Sequence, residues 1–216
     1  MLGPMLRVLV IALVLLVAAM FLLPRGRDAR PPLPAPSVPT QAATVLPDRL
    51  PLPEFALTDD SGQRFTTEDL RGGYRLVFFG LTHCPDICPL TLQVLARAVD
   101  EIEAREPSAK PEVVFVSVDP RRDTPERIRA YVRNFDPEFV GVTGPDEALA
   151  PLVRALGVTV HKTEVDGEHY NVVHNGTVYV IGPDAGLAAI FSGTSHDAET
   201  IASDYLLIRG ASTPAP

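Results

Sequence analysis

The chain of 216 residues has only two cysteines, and this scarcity excludes two classes of protein. Two cysteines are too few for a small fold held together by several disulfides, or for a zinc site built on four cysteines. Basic residues are outnumbered, since 19 Lys and Arg stand against 27 Asp and Glu, which gives a net charge of -8. A nucleic-acid-binding protein needs a basic face to neutralise phosphates, so no nucleic-acid partner is expected.

One long apolar run stands near the N-terminus. Residues 8–23 are all apolar, and Arg7 and Arg25 lie close to the two ends of the run. A membrane-spanning helix needs about 20 apolar residues, with a lower limit of about 17, so the run with its flanks is just long enough. A cleaved signal peptide is the alternative, but no small-x-small cleavage site follows the run. We predict a short tail over residues 1–6 and a transmembrane anchor over residues 7–24.

Proline dominates the stretch that follows the predicted anchor. Nine of the 22 prolines lie between residues 24 and 53. Such a segment favours extended polyproline II conformation and cannot build a packed core. We therefore predict a linker over residues 25–50, a globular domain over residues 51–210 and a disordered tail over residues 211–216.

Strand patterns alternate with helix patterns in the globular domain. Residues 75–79 and 113–118 are continuous apolar runs of the kind found in buried parallel strands. Further strands are predicted over residues 55–58, 63–65, 139–142, 177–181 and 187–191, with a hairpin-like stretch before residue 177. Helices are predicted after the cysteines and over residues 124–134, 146–156 and 198–208, with a helical turn over residues 67–70. This alternation predicts an α/β domain with a mixed sheet flanked by helices.

Both cysteines lie in one loop, between the strand over residues 75–79 and the helix that follows. Ligands of α/β folds bind at this edge of the sheet, beyond the carboxyl ends of the strands. The helix N-terminus places N–H groups and positive potential near Cys84 and Cys88, so a lowered thiol pKa is expected. Three interpretations of the pair stay open: a structural disulfide, which closes only a short ring, a dithiol–disulfide redox centre, and a site for a soft ion such as Cu(I).

A third ligand for such an ion would be a histidine, because the chain has no other cysteine. Four of the five histidines are expected to be polar loop or surface residues: His83, His161, His169 and His196. Strand alternation places His174 on the same face as Tyr170 and Val172, so it is a candidate ligand, although an ordinary polar role stays open. Asp119 and Asp123 are either solvated charges at a helix start or groups that orient the site.

Three blocks of the sequence resemble a known family. Residues 79–89 (FGLTHCPDICP) closely resemble the CPxxxCP motif of the Sco, or SenC, copper chaperones of cytochrome oxidase. Residues 119–125 (DPRRDTP) resemble a second block of that family, and residues 170–184 resemble a third, which contains its histidine ligand. The resemblance covers residues 50–208. Val173 is a departure, because the family usually has an aspartate directly before the histidine.

The resemblance implies a thioredoxin-like fold that binds copper, as Cu(I) or Cu(II), through Cys84, Cys88 and His174. It implies a metallochaperone that delivers copper to the dinuclear centre in the copper-binding subunit of cytochrome c oxidase. A thiol-disulfide reductase that keeps the target's cysteines reduced, with Cys84 and Cys88 as the redox pair, is the alternative. Another periplasmic copper carrier or a thioredoxin-like reductant would be a further partner. The implied location is the inner membrane, with the domain in the periplasm, or in the intermembrane space of mitochondria.

Overall fold

The structure is a computed structural model that describes residues 38–166, 169–174, 176–193 and 197–211, together with Gly3. For residues 162–174 it describes the backbone alone. Backbone contacts separate residues 1–35 from residues 36–216, and all the elements below belong to the second unit. The predicted anchor over residues 7–24 lies outside the described residues. Within the part of the chain that the structure describes, no helix is both long enough and apolar enough for a membrane span.

The described residues form ten strands and four α-helices. The strands are β1 (Ala43–Pro51), β2 (Ala56–Asp59), β3 (Arg64–Thr66), β4 (Arg75–Gly80), β5 (Glu112–Ser117), β6 (Val140–Thr143), β7 (Val160–Asp166), β8 (His169–His174), β9 (Val178–Ile181) and β10 (Gly186–Phe191). The helices are α1 (Ile87–Arg105), α2 (Pro125–Val132), α3 (Asp146–Ala155) and α4 (Ala198–Ala211), with short 3-10 helices at Thr67–Leu70 and Pro107–Ala109.

Eight of the described strands form one mixed sheet in the order β1-β10-β9-β4-β5-β6-β2-β3. The central strands β4, β5 and β6 run parallel, and the remaining pairs in this sheet are antiparallel. Strands β7 and β8 form a separate antiparallel pair in the region where a hairpin is predicted. The arrangement confirms the mixed sheet flanked by helices.

The large sheet separates two apolar cores, because successive side chains of a strand point to opposite faces. On β4, Leu76 and Phe78 belong to one core, and Val77 and Phe79 belong to the other. Helices α1, α2 and α4 contribute buried residues to the first core, and α3 contributes to the second. The ends of β4 and β5 are thus held from both sides, which gives the loops that follow them a rigid base.

Strand β1 corrects the predicted boundary between linker and domain. The sequence analysis assigns residues 43–50 to the linker, whereas the structure pairs them antiparallel with β10 at the edge of the sheet. Pro47 falls in a stretch of β1 whose register with β10 is irregular, where a missing N–H is tolerated. The buried carboxylate of Asp204 in α4 accepts hydrogen bonds of 2.7–2.9 Å from the backbone N–H groups of residues 41–43. The folded domain therefore starts before residue 51.

The predicted start of α2 is confirmed by its cap. The Thr124 side chain accepts a hydrogen bond of 3.3 Å from the backbone N–H of Arg127, and Pro125 is the first helical residue. The helix ends at Val132, two residues before the predicted end. Helix α4 continues to Ala211, so the first residue of the predicted tail belongs to this helix. Residues 212–216 lie outside the described part of the chain.

Candidate metal centre

The two cysteines lie where β4 leads into α1. A Cβ atom added to Gly80, the last residue of β4, would lie 2.5 Å from Cε2 of Phe115 and 2.9 Å from Sγ of Cys88. Real Cβ atoms essentially never approach other atoms so closely. Glycine at this position therefore lets the cysteine sulfur and the aromatic ring pack directly against the strand.

Cys84 and Cys88 are both free thiols, and they differ in exposure. Cys88 is completely buried in the first turn of α1, whereas Cys84 is half-buried in the loop before the helix. The backbone N–H of Cys88 points to Sγ of Cys84 at 3.5 Å, and the backbone N–H of Cys84 donates to the carbonyl of Leu81 at 3.2 Å. The helix start thus brings the two residues together, as the spacing predicts.

Burial favours the protonated form of Cys88, the more buried of the two cysteines. Burial raises the pKa of the Cys88 thiol well above its ordinary value, and this effect exceeds the lowering by a hydrogen bond from the Leu81 backbone. The charges of Cys84 and Asp123 raise the same pKa further. This finding corrects the expectation of a lowered pKa for Cys88, because burial outweighs the helix N-terminus. Cys88 is therefore a thiol until a cation displaces its proton.

Hydrogen bonds to Asp123 connect the cysteine loop to the end of β5. Its buried carboxylate accepts a hydrogen bond of 2.6 Å from the Ser117 hydroxyl. It also accepts bonds of 2.6 Å from the Thr82 hydroxyl and 2.9 Å from the Thr82 backbone N–H. Of the two interpretations given for Asp123, the structure supports the one in which it orients the cysteine loop. Thr82 carries no sequence signal for this role, because its bonds to Asp123 join residues 41 positions apart.

His83 faces the loop after β5 and not the core. Its Nδ1 lies 3.2 Å from the Thr82 hydroxyl and 3.5 Å from Oδ1 of Asp123, and Nη1 of Arg127 lies 2.9 Å from Nε2. Arginine can only donate, so Nε2 is the acceptor and the ring proton belongs on Nδ1. The ligand atoms of His83, Asp119 and Asp123 lie within 4.8 Å of one another, which sequence reasoning missed. The Asp123 carboxylate accepts hydrogen bonds from Thr82 and Ser117. The Asp119 carboxylate accepts one from Arg122. Hydrogen bonds within the protein therefore already engage both carboxylates.

The structure describes His174 by its backbone. The residue ends β8 and pairs with Val160 of β7. Among the other histidines, His161 is exposed on β7, His169 begins β8, and His196 lies outside the described residues. Cys84 and Cys88 are therefore brought together, while the assignment of His174 as the third ligand stays a prediction.

Comparison with known proteins identifies the family. A sequence model of SCO1/SenC matches residues 47–206. The chain belongs to this family. Its matched region includes both cysteines and β8, and it begins within β1, in agreement with the corrected start of the domain.

Individual relatives agree with this membership. A protein of Stutzerimonas stutzeri named as a putative copper-binding protein is 39% identical over 144 residues, which cover 66% of this chain and 70% of that protein. The human mitochondrial SCO1 homologue is 39% identical over 150 residues, which cover 69% of this chain and only 50% of the human protein. The crystal structure of Arabidopsis thaliana ScoI with copper bound has a TM-score of 0.68 at 35% identity, covering 73% of this chain and 98% of that one. The Sco-family thioredoxin-like fold that the resemblance implies is confirmed.

Proposed function

We propose that this domain is a copper metallochaperone that holds one copper ion through Cys84, Cys88 and His174. The observation that carries the proposal is the pair of free thiols at the start of α1 in a chain of the SCO1/SenC family, whose Arabidopsis member is known with copper bound. Thiolate and imidazole are the ligands that Cu(I) prefers, and a third donor completes a trigonal set. The proposed recipient is the dinuclear copper centre in the copper-binding subunit of cytochrome c oxidase.

Sheet topology supports His174 as the third ligand. Strand β9 runs antiparallel to β4, and its first residue, Val178, pairs with Phe78. Residues 176 and 177, directly before β9, therefore lie at the end of β4 where the cysteine loop begins. Only three residues separate His174 from Val178 in the sequence. A ligand at the end of β8 needs only a short connection to reach the two sulfurs.

Exposure of Cys84 supports release of the cargo. A completely buried ion would need local unfolding before another protein could take it, whereas the half-buried Cys84 lies at the surface of the loop. A thiolate of the recipient can replace Cys84 as a copper ligand while Cys88 still holds the ion. Transfer then proceeds by ligand exchange and needs no change in the oxidation state of copper.

Replacing His174 tests this proposal. Reduced wild-type protein is expected to bind one equivalent of Cu(I) under anaerobic conditions, and His174→Ala is expected to bind it at least tenfold more weakly, because one of three ligands is lost. His161→Ala, which removes an exposed imidazole from the paired strand, is the matched control and is expected to bind as wild type. Competition with a chromophoric Cu(I) chelator measures the affinities. Equal affinities in all three proteins would contradict His174 as a ligand.

A second function is favoured by the unequal exposure of the cysteines. In a thiol-disulfide reductase, an accessible thiolate attacks the target disulfide and a buried thiol resolves the mixed disulfide. Cys84 and Cys88 fit these two roles, and the reaction would turn both thiols into one disulfide while the target gains two electrons and two protons. Reduction of a target peptide disulfide by His174→Ala at the wild-type rate, together with absence of copper from the reduced wild-type protein after reconstitution, would favour this function over the chaperone.

The proposed location is the periplasmic face of the inner membrane, or the intermembrane space if the protein is mitochondrial. Residues 7–24 would anchor the chain and the proline-rich linker would hold the domain away from the bilayer. A further copper carrier or a thioredoxin-like reductant would then meet the domain in the same compartment. Protease treatment of intact spheroplasts is expected to degrade the domain, and its protection would contradict this orientation.

A further inference from the structure

Basic residues are concentrated beside the cysteine loop of an acidic chain. Residues 121–133 contain five arginines and two acids, a net charge of +3, whereas the whole chain has a net charge of -8. The segment lies next to the loop, because the carboxylate of Asp123 within it accepts hydrogen bonds from Thr82. All five arginines except Arg122 are exposed. The basic surface consists of Arg121, Arg122, Arg127, Arg129 and Arg133.

Three arginines of the basic surface have no acidic partner within the domain. Arg122 pairs with Asp119, but Arg127, Arg129 and Arg133 form no ion pair with any described residue. Most other arginines of the domain are paired with a carboxylate: those at positions 49, 71, 75, 105 and 209. Acids are in excess in this chain, so unpaired neighbouring cations are unexpected and leave positive charge for a partner.

Their positions in α2 do not favour the stability of the helix. Arg127 is the third helical residue, near the N-terminus, where the helix dipole favours acids and disfavours cations. Arg129 and Arg133 lie near the favourable C-terminus, but they are one turn apart, since the backbone N–H of Arg133 donates to the carbonyl of Arg129 at 3.2 Å. Like charges at this spacing repel each other. Contact with a partner explains these arginines better than a role within α2.

Arg127 connects the basic surface to the cysteine loop. Its Nη1 lies 2.9 Å from Nε2 of His83, the residue directly before Cys84. This contact holds the guanidinium beside the half-buried cysteine. The planar set of N–H groups in a guanidinium matches the two oxygens of a carboxylate. A protein that reaches Cys84 therefore meets a cation suited to an acidic side chain.

We propose that the basic surface docks the copper recipient through acidic side chains that lie beside the recipient's own copper ligands. The inference rests on the proposed function and deepens it, because it gives the charge of the surface that meets Cys84. Opposite charges speed the encounter of two proteins and select one orientation. Anionic lipid headgroups fit the same charge but not the same place, because a bilayer on this surface would cover Cys84 and exclude the recipient.

The salt dependence of copper transfer tests the inference. The full chain in neutral detergent, loaded with Cu(I), is mixed with the copper-binding domain of an oxidase subunit, and stopped-flow absorbance measures the second-order transfer rate. Raising NaCl from about 0.01 M to about 1 M shortens the Debye length from about 30 Å to about 3 Å and is expected to slow wild-type transfer about tenfold. Arg127→Glu and Arg129→Glu are expected to be about tenfold slower at low salt and equal to wild type at high salt.

Arg64→Glu is the matched control, because Arg64 is an exposed arginine of β3 that forms no ion pair with any described residue. It makes the same change of charge and is expected to transfer copper at nearly the wild-type rate. Metal-free Arg127→Glu is expected to be at least as stable as wild type, because an acid replaces a cation at the helix N-terminus. Arg129→Glu is expected to keep wild-type copper affinity, so slower transfer by either variant reports docking.

Three outcomes would count against the inference. Transfer rates that ignore salt and are equal in all three variants would overturn it alone. Slower transfer from nanodiscs of phosphatidylglycerol than of phosphatidylcholine, relieved by Arg129→Glu, would assign the basic surface to anionic lipid instead. Copper binding without transfer by wild type at any salt concentration would overturn both the inference and the delivery step of the proposed function.

Discussion

At the scale of single residues, Sγ of Cys88 shares a narrow space with the Phe115 ring at the end of β4. The space exists because residue 80 has no side chain, and a Cβ atom there would meet both groups. Around the same sulfur, burial disfavours the thiolate, so Cys88 stays protonated until a cation binds. Tight packing and a raised pKa together describe a sulfur atom that is fixed in position and stays protonated while no cation is bound.

Gly80→Ala tests this packing. We expect the substitution to lower the free energy of unfolding by about 1–3 kcal/mol, the usual effect of an extra methyl group in a tightly packed core. Copper affinity is expected to fall as well, because relief of the contact displaces Sγ of Cys88. Urea unfolding monitored by circular dichroism measures the first effect, and chelator competition measures the second.

Gly210→Ala is the control for this substitution. Gly210 lies near the end of α4, where an added Cβ atom would meet nothing within 4 Å. Replacing a helical glycine in open space stabilises a protein by roughly 0.5–1 kcal/mol, and copper affinity should not change. Similar unfolding curves for the two variants would contradict the packing argument at Gly80.

At the scale of secondary-structure elements, those with complete local signals could be predicted from the sequence. Thr124 and Pro125 mark the start of α2, and the structure confirms both the cap and the first helical residue. The continuous apolar runs of β4 and β5 likewise predict central strands, because both faces of those strands are buried. The cysteine pair belongs to this group, since its position between a strand and a helix follows from the flanking patterns.

Other elements could not be predicted, because they depend on distant partners. Strand β1 contains Pro47 and follows a proline-rich stretch, so its local pattern indicates a linker. The bonds that fix its start come from Asp204, 161–163 residues further along the chain. The bonds between Thr82 and Asp123 join residues 41 positions apart.

The first turns of α1 present an exposed apolar surface next to Cys84. Ile87 is 40% exposed and Leu90 is 61% exposed. A recipient protein that reaches Cys84 has to cover these side chains, so we expect Leu90→Ser to slow copper transfer to a recipient copper-binding domain about tenfold, as for a moderately important interface residue. Stability and copper affinity should not change. Stopped-flow absorbance at the recipient's copper centre measures the transfer rate.

Leu207→Ser is the control for Leu90→Ser, because Leu207 is 42% exposed on α4. It removes a similar exposed leucine from a different helix and is expected to leave the transfer rate as in wild type. Equal transfer rates for the two variants would contradict a docking role for the start of α1.

At the scale of the whole molecule, the chain enters the domain along β1, at one edge of the large sheet. Strands β10 and β9 lie between β1 and β4, so the entry point is about 14 Å from the strand that carries the cysteine loop, at the usual strand spacing. The Asp204 carboxylate holds the start of β1 in place, because it accepts hydrogen bonds from the backbone N–H groups of residues 41–43. The connection to the linker and the proposed copper site are therefore separate parts of one rigid domain.

Two fragments test this separation and the corrected domain boundary. A fragment of residues 36–216 keeps β1 and the partners of Asp204, so its free energy of unfolding and copper affinity are expected to match those of the full chain. A fragment of residues 51–216 loses those partners, which leaves a buried carboxylate uncompensated, and this is expected to lower the free energy of unfolding by about 3–5 kcal/mol. It also uncovers the edge of β10, which favours association of the fragment. Urea unfolding and sedimentation velocity of both fragments measure these effects, and equal stability of the two would show that β1 is dispensable and that the domain begins at residue 51 after all.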